Sequence, residues 1–224
     1  MRKLKLGVQI SGRGSNLQAL IDACADKNFP AEIVLVISNV ADVEGLAKAK
    51  VAGISTQTIP HKSFETKEAF EVALDEAHTK AGVELICNAG FMRIISAYLI
   101  NKWRGRMINI HPSLLPSFPG LHTHQRALDA GVLFTGCTVH YVEEEVDAGA
   151  MILQAAVPIM PNDTEASLAA RVLSYEHKAY PAAVRMIAQG MVTYKDGKIT
   201  RNLKDFPGAD STPQNGLLNP ALLS

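Results

Sequence analysis

Hydrophobic positions in the first half of the chain alternate between continuous β-branched runs and segments with helical spacing. The run AEIVLVIS at residues 31–38 is typical of a strand that is buried on both faces of a sheet. The predicted strands are Leu4–Ser11, Ala31–Ser38, Ser55–Pro60, Glu84–Asn88 and Arg106–Ile110, and the predicted helices between them are Ser15–Asp26, Asp42–Val51, Thr66–Ala81 and Ser96–Trp103. Strands that alternate with helices predict an α/β fold, a Rossmann-like parallel sheet flanked by helices.

The pattern changes after Gly120, where two apolar runs follow each other with only a short acidic loop between them. The predicted elements are a helix over His122–Ala130, strands over Gly136–Val142 and Ala150–Ile159, a long helix from about Thr164 towards Gln189, and a hairpin within Val192–Thr200. A short connection between strands predicts an antiparallel extension of the sheet in the C-terminal half. We therefore expect one domain over residues 1–205, and a loosely attached, Pro- and Gly-rich tail over residues 206–224.

The composition is that of a globular protein, with 47% hydrophobic and 20% charged residues in a chain of 224. Because 22 Lys and Arg balance 22 Asp and Glu, no net charge attracts nucleic acid or an anionic membrane surface. Cys24, Cys87 and Cys137 form no closely spaced pair, which argues against a disulfide framework or a structural zinc site. Since the chain also shows no secretory signal and no membrane-length apolar run, we expect a cytoplasmic protein with small-molecule partners.

The segment SGRGSN, residues 11–16, lies between the first predicted strand and the first predicted helix. Its glycines allow a tight turn, and the exposed N–H groups of a helix start favour a phosphate. A dinucleotide fingerprint would need a third glycine where this chain has Leu17, so a single phosphate monoester fits the segment best. The alternative is a plain strand–helix turn, capped by Ser15 or Asn16.

The segment RMINIHPSLLPSFPG, residues 106–120, delivers an amide and an imidazole to the end of a strand. Asn109 and His111 are two positions apart, so on a strand both side chains project from the same face. An amide can stabilise an oxyanion and an imidazole can move protons, which together suit acyl transfer. The alternative is a hydrogen-bonded core histidine without a catalytic role.

Two further polar segments follow. In EEEVDAGA, residues 143–150, Asp147 precedes a turn, and a carboxylate near His111 would favour the imidazolium and raise the pKa of His111. The alternative is an ordinary acidic surface turn.

His122 and His124 open a predicted helix, where positions two apart do not face each other, so we expect no metal site there.

Several segments together resemble the phosphoribosylglycinamide formyltransferases, within the folate-dependent formyltransferase family. They are SGRGSNLQALIDAC, AGFMRIIS, INIHPSLLPSFPGLHTH, VDAGAMILQ and EHKAYP, spread over about residues 4–200. The Asn-x-His-Pro-Ser-Leu-Leu-Pro block with a downstream Asp-x-Gly carries the resemblance most specifically. The Gly-Ser-Asn turn narrows the resemblance to the family members that act on glycinamide ribonucleotide. The resemblance implies formyl transfer from 10-formyltetrahydrofolate to the amine of 5'-phosphoribosylglycinamide in purine synthesis, without a metal.

The same resemblance assigns roles to residues. It implies that Asn109 stabilises the oxyanion, that His111 transfers protons, and that Asp147 orients His111. Substrate binding falls to the residues expected at the phosphate, Gly14, Ser15 and Asn16, and to the residue expected at the ribose hydroxyls, Glu176. The residues expected at the folate are Lys67, Met92, Arg93, Ile94, Ile95, Asn109, Glu143, Glu144, Glu145, Val146 and Asp147.

The resemblance divides the domain into a phosphate-binding half, about residues 1–100, and a catalytic and folate-binding half, about residues 101–205. One position departs from many relatives, which have an arginine where this chain has Lys67; lysine keeps the charge but lacks the rigid fork of a guanidinium.

The rival functions are a formyltetrahydrofolate deformylase, a methionyl-tRNA formyltransferase, a non-catalytic nucleotide-binding module and a zinc hydrolase. We expect a monomer or a homodimer.

Overall fold

The alternating apolar pattern folds into a layered α/β structure in the computed structural model, which describes residues 2–202. The strands are β1 Leu4–Ile10, β2 Ala31–Ser38, β3 Thr56–Thr58, β4 Leu85–Asn88, β5 Met107–His111, β6 Phe134–Tyr141, β7 Met151–Pro158, β8 Val192–Lys195 and β9 Lys198–Arg201. The helices are α1 Ser15–Ala25, α2 Glu44–Val51, α3 Lys67–Lys80, α4 Ala97–Lys102, α5 Thr123–Asp129 and α6 Glu165–Ala188, with one 3-10 turn at His61–Ser63. The predicted tail lies outside the described residues.

Seven strands form one sheet in the order β3-β2-β1-β4-β5-β6-β7. The first five in this order pair in parallel, whereas β5 with β6 and β6 with β7 pair antiparallel. Strands β8 and β9 form a separate antiparallel hairpin. The predicted Rossmann-like sheet with an antiparallel extension is therefore confirmed. Because parallel strands β1, β4 and β5 are neighbours, their carboxyl ends meet at one edge, where ligands of α/β sheets bind.

Two hydrophobic clusters cover the two faces of the sheet. Neighbouring positions of β2 divide between them, since Val36 belongs to one cluster and Leu35 and Ile37 belong to the other. The larger cluster includes buried residues of α1 and α6, and the smaller one includes buried residues of α3 and α4. Burial of both sheet faces explains why the strands are continuous apolar runs and not alternating ones.

Several helices begin one or two residues later than the sequence predicts, and a left-handed residue explains the difference for two of them. The second helix, predicted from Asp42, begins at Glu44, because Asp42 adopts a left-handed φ of 53°. The fifth helix, predicted from His122, begins at Thr123, because His122 adopts a φ of 57°. Since a left-handed residue cannot continue a right-handed helix, each of these residues lies just outside its helix.

The cysteines are all free thiols, with Cys87 and Cys137 buried and Cys24 half-buried. Burial raises the pKa of the Cys24 thiol to about 11, so it stays protonated at neutral pH. Among residues 2–202, none of the helices combines the length and apolar character that crossing a bilayer requires.

Candidate active site

The turn between β1 and α1 leaves the first N–H groups of the helix without a side-chain cap. Gly14 occupies the N-cap position with a left-handed φ of 66°, so Ser15 and Asn16 are already helical residues. A Cβ on Gly14 would lie 2.8 Å from the Cα of Gly45, so both the φ and the space require glycine here. Neither Ser15 nor Asn16 caps the helix, and no side chain covers the N–H groups at its start, which is a geometry that suits an anion.

The side chain of Asn16 points away from this turn and towards α6. Its Nδ2 donates a 2.6 Å hydrogen bond to Oε2 of Glu176, and both side chains are buried. Burial raises the pKa of Glu176, whereas the hydrogen bond from Asn16 acts in the opposite direction. Among the described residues, Oδ1 of Asn16 has no hydrogen-bond partner. The residues expected at the phosphate and the ribose are thus joined by a direct contact.

Strand β5 delivers Asn109 and His111 to the same side, as the two-residue spacing predicts. Both line a cavity of about 950 Å³ at the carboxyl edge of the parallel strands. The backbone carbonyl of Phe118 lies 3.0 Å from Nε2 of His111, so the proline-rich segment after the strand folds back over the imidazole. The side chain of His111 is only 7% exposed, so the ring is largely shielded from solvent.

Asp147 contacts the other ring nitrogen of His111, across a separation of 36 residues. Its Oδ2 lies 3.3 Å from Nδ1 of His111 and accepts a 2.8 Å hydrogen bond from the N–H of Gly120. Its side chain is 9% exposed, and its backbone has a left-handed φ of 58°. The structure therefore brings together the three residues that the sequence selected for catalysis.

His140 completes this cluster and was missed as a functional residue. Its Nδ1 lies 2.9 Å from the carbonyl oxygen of Tyr141, and its Nε2 lies 3.4 Å from Nδ2 of Asn109 and 3.7 Å from Oδ1 of Asp147. Burial lowers the pKa of His140, which favours the neutral ring. A neutral ring that donates from Nδ1 can accept from the Asn109 amide at Nε2. His140 therefore helps to fix the direction of that amide.

The cavity gathers most of the residues expected at the folate, but not all of them. The expected folate and ribose residues that line it are Met92, Arg93, Ile94, Ile95, Asn109, Glu143, Glu144, Val146, Asp147 and Glu176. Lys67 and Glu145 are not among its lining residues, so their roles stay predictions. Lining residues that the sequence did not single out for this site include Asn88, Phe91, His124 and Glu165.

A second, smaller cavity of about 420 Å³ adjoins the start of α1. Ser15 lines it together with Lys48 and His177. The Nζ of Lys48 donates a 2.8 Å hydrogen bond to the carbonyl oxygen of Arg13, so a positive charge lies beside the glycine turn. Lys48 was not predicted, because its helix is far from the turn in sequence.

Within residues 2–202, no group of three or more His, Cys, Asp or Glu side chains is arranged so that it could hold a metal ion.

The chain is similar to known proteins over most of its length. Residues 4–184 match the family of formyl transferases. The phosphoribosylglycinamide formyltransferase of Escherichia coli is 43% identical over 84% of this chain and 88% of its own length. The trifunctional purine biosynthetic protein adenosine-3 of Bos taurus is 52% identical over 85% of this chain but only 19% of its own, so the chain spans about a fifth of that relative.

The chain is also similar to solved structures over most of its length. The glycinamide ribonucleotide transformylase 1 of Symbiobacterium toebii superposes with a TM-score of 0.86 and 41% identity, covering 89% of this chain and 94% of that one. Both the family match and the bacterial relative span nearly the whole described domain. The chain therefore belongs to the formyl transferase family.

Proposed function

We propose that this protein transfers the formyl group of 10-formyltetrahydrofolate to the amine of 5'-phosphoribosylglycinamide, a step of purine synthesis. The observation that carries the proposal is the meeting of Asn109, His111 and Asp147 in one wall of the large cavity, with Asp147 3.3 Å from His111. An amide donor, an imidazole and a carboxylate are the groups that this acyl transfer requires. The relatives named for this reaction support the substrate assignment.

The reaction begins when the ribonucleotide amine attacks the formyl carbon and the carbonyl oxygen becomes an oxyanion. Asn109 donates to that oxyanion from its amide, and His111 can donate as well. The attacking nitrogen then loses a proton, and the folate nitrogen accepts one as its bond to the formyl carbon breaks. His111 serves both transfers, acting through a water molecule. The products are the formylated amine and tetrahydrofolate.

Asp147 orients His111 and stabilises its charged form. The neighbours of the two ring nitrogens are both acceptors, the Asp147 carboxylate at Nδ1 and the Phe118 carbonyl at Nε2. A charged imidazolium can donate to both of them, whereas a neutral ring can donate to only one. The carboxylate thus holds the ring in position and balances its charge, the division of roles known from hydrolase triads.

The ribonucleotide lies between the two cavities in this proposal. Its phosphate binds the free N–H groups at Gly14, Ser15 and Asn16, where the partial positive charge of the helix start and the Lys48 ammonium both favour a dianion. Its ribose hydroxyls bind Glu176, which is half of the buried pair with Asn16. Residues 1–100 thereby form the phosphate-binding half of the domain.

The folate binds in the large cavity, in the half formed by residues 101–205 together with the segment after β4. Met92 and Ile94 are 66% and 71% exposed, and both line the cavity, so they offer apolar surface to a flat ring system. The acidic loop also contributes Glu144 and Val146 to the lining of this cavity. We propose that the co-substrate is bound here without a metal, and that the protein acts in the cytoplasm as a monomer or homodimer on small molecules.

Turnover of 10-formyltetrahydrofolate, followed by absorbance with and without the ribonucleotide, tests the proposal. We expect turnover that depends on the ribonucleotide, with one formylated product per folate consumed, and near-complete loss of turnover in His111→Asn. Turnover of 10-formyltetrahydrofolate at a rate that does not depend on the ribonucleotide would indicate a deformylase. Turnover that His111→Asn leaves intact would overturn the mechanism.

A further inference from the structure

The acidic loop between β6 and β7 is tied at its first residue to two distant elements. Glu143 accepts a 2.8 Å hydrogen bond from Nη1 of Arg104 at its Oε2, and a hydrogen bond from the Tyr194 hydroxyl at its Oε1. Arg104 follows α4, and Tyr194 belongs to the hairpin strand β8. We call Arg104, Glu143 and Tyr194 the loop clamp. The Glu143 side chain is 19% exposed, so these hydrogen bonds are partly shielded from water.

The ring of Tyr194 is held from two sides. It packs against the ring of Tyr141 with a centroid distance of 4.8 Å, and it lies over Gly105. A Cβ at Gly105 would be 2.5 Å from Cδ1 of Tyr194, and Gly105 has a left-handed φ of 68°. The close approach of the ring therefore requires glycine at this position. With its ring fixed, Tyr194 presents its hydroxyl to Glu143 in one direction.

Arg104 also balances the charge of the loop. Carboxylates occupy four of the five positions in the loop segment EEEVD, residues 143–147, so its side chains repel each other. Besides contacting Glu143, the Arg104 guanidinium places Nη2 3.7 Å from Oε1 of Glu144 and donates a 2.5 Å hydrogen bond to Asn101 on α4. The guanidinium thus offsets part of this repulsion from a position fixed by a helix.

The other end of the loop carries the carboxylate that contacts His111. Asp147 is four residues after Glu143, and Gly149 follows it against the carbonyl oxygen of Tyr141, where a Cβ would be only 1.8 Å away. The loop therefore spans a short distance between two fixed ends. A displacement of Glu143 would therefore be passed on to Asp147, because the segment between the two residues is short.

We propose that Arg104 and Tyr194 are positioning residues, which hold the acidic loop so that Asp147 stays in contact with His111. They do so through Glu143, without touching either substrate. The expected effect on catalysis rests on the proposed function, but the expected effect on the loop does not. Removal of either donor frees Glu143 at the start of the acidic loop. The part of the large cavity that the loop lines then becomes less rigid, and the Asp147–His111 contact is disturbed.

Tyr194→Phe is the sharpest test, because it removes the hydroxyl and keeps the ring on Tyr141 and Gly105. Tyr98→Phe is the matched control, since Tyr98 does not line the cavity. Hydrogen exchange of the amides in residues 143–149 should become faster in Tyr194→Phe and in Glu143→Gln than in the wild type or the control. Equal exchange in Tyr194→Phe and the wild type would overturn the proposal, whatever reaction the protein catalyses.

Kinetics supply the second readout once wild-type turnover has been measured. A lost hydrogen bond to a charged group should lower kcat/KM for the folate by about 10-fold in Tyr194→Phe. The KM of the ribonucleotide should not change, and the double variant with Glu143→Gln should lose no more than the larger single effect. Additive losses would show that Tyr194 does not act through Glu143 and would contradict the proposal. A missing wild-type turnover would count against the proposed function alone, and the exchange measurement would still decide on the clamp.

Discussion

At the scale of single residues, the site depends on how each polar group limits the freedom of its neighbour. His140 accepts from Asn109, Asp147 contacts His111, and Asn16 donates to Glu176. In each contact one partner is largely buried, so a misplaced polar group would lose a hydrogen bond without gaining water. This mutual restraint prepares the donors before substrates bind, which is where electrostatic catalysis gains most.

Asp147→Asn tests the restraint on His111. An amide can occupy the same space, but it cannot balance the charge of an imidazolium. We expect kcat to fall by about 100- to 10,000-fold. A kcat close to that of the wild type would contradict the coupling between the two residues.

Asn109→Ala tests the oxyanion contact. Loss of one such donor should lower kcat by about 100- to 1,000-fold, with a smaller change in KM, because the contact strengthens as the oxyanion forms. Asn162→Ala is the matched control, since Asn162 is exposed and does not line the cavity. Steady-state kinetics decide the matter. Equal kcat values for the two variants would exclude an oxyanion role for Asn109.

At the scale of elements, sequence patterns predict the long strands and helices well and the loops poorly. Strand β2 has the predicted bounds of Ala31–Ser38, because a short, continuous run rich in β-branched residues favours a strand. The helix starts at Glu44 and Thr123 were predicted two residues and one residue early, since a left-handed conformation is uncommon for any residue other than glycine. Both of these errors fall where the backbone adopts a left-handed conformation.

Gly14→Ala tests the turn that begins α1. The substitution places a Cβ in a left-handed residue, which costs about 1 to 2 kcal/mol, and it also brings that Cβ 2.8 Å from the Cα of Gly45. Gly53→Ala is the matched control, because Gly53 has a similar φ of 71° but no atom within 4 Å of the new Cβ. Chemical denaturation should show a larger loss of unfolding free energy for Gly14→Ala. The KM of the ribonucleotide should rise in that variant alone, and equal KM values would contradict a phosphate site at this turn.

At the scale of the whole molecule, the fold joins residues that the sequence separates widely. The order of β1, β4 and β5 in the sheet follows from right-handed crossovers, so a site at their carboxyl edge could be expected from the pattern alone. The partnership of Asn109 with His140 could not be expected, because it depends on the register between β5 and β6. The contact of Asn16 with Glu176 likewise depends on the packing of α1 against α6.

The pH dependence of global stability tests the burial of His78. The residue is fully buried on α3, and its Nε2 lies 2.9 Å from Nε2 of Gln9, which suits a neutral ring that accepts from the amide. Burial lowers the pKa of His78 from 6.5 to about 3. Below pH 6.5 the unfolded chain therefore binds a proton that the folded chain excludes, and the unfolding free energy falls by up to about 1.4 kcal/mol per pH unit.

Denaturant titrations at pH 7, 6 and 5 measure this contribution. His78→Gln removes the titrating group, so its unfolding free energy should fall less steeply with decreasing pH than that of the wild type. Parallel curves for the two proteins would show that His78 does not titrate as its burial requires.

The central claim is that one cavity passes a formyl group directly from folate to amine. Transfer of a carbon label from formyl-labelled 10-formyltetrahydrofolate, in the presence of 5'-phosphoribosylglycinamide, tests it most directly. We expect the label lost from the folate to appear in the formylated ribonucleotide in equal amount, with no labelled formate. Label that appears as formate, at a rate independent of the ribonucleotide, would contradict the claim and assign the cavity to hydrolysis.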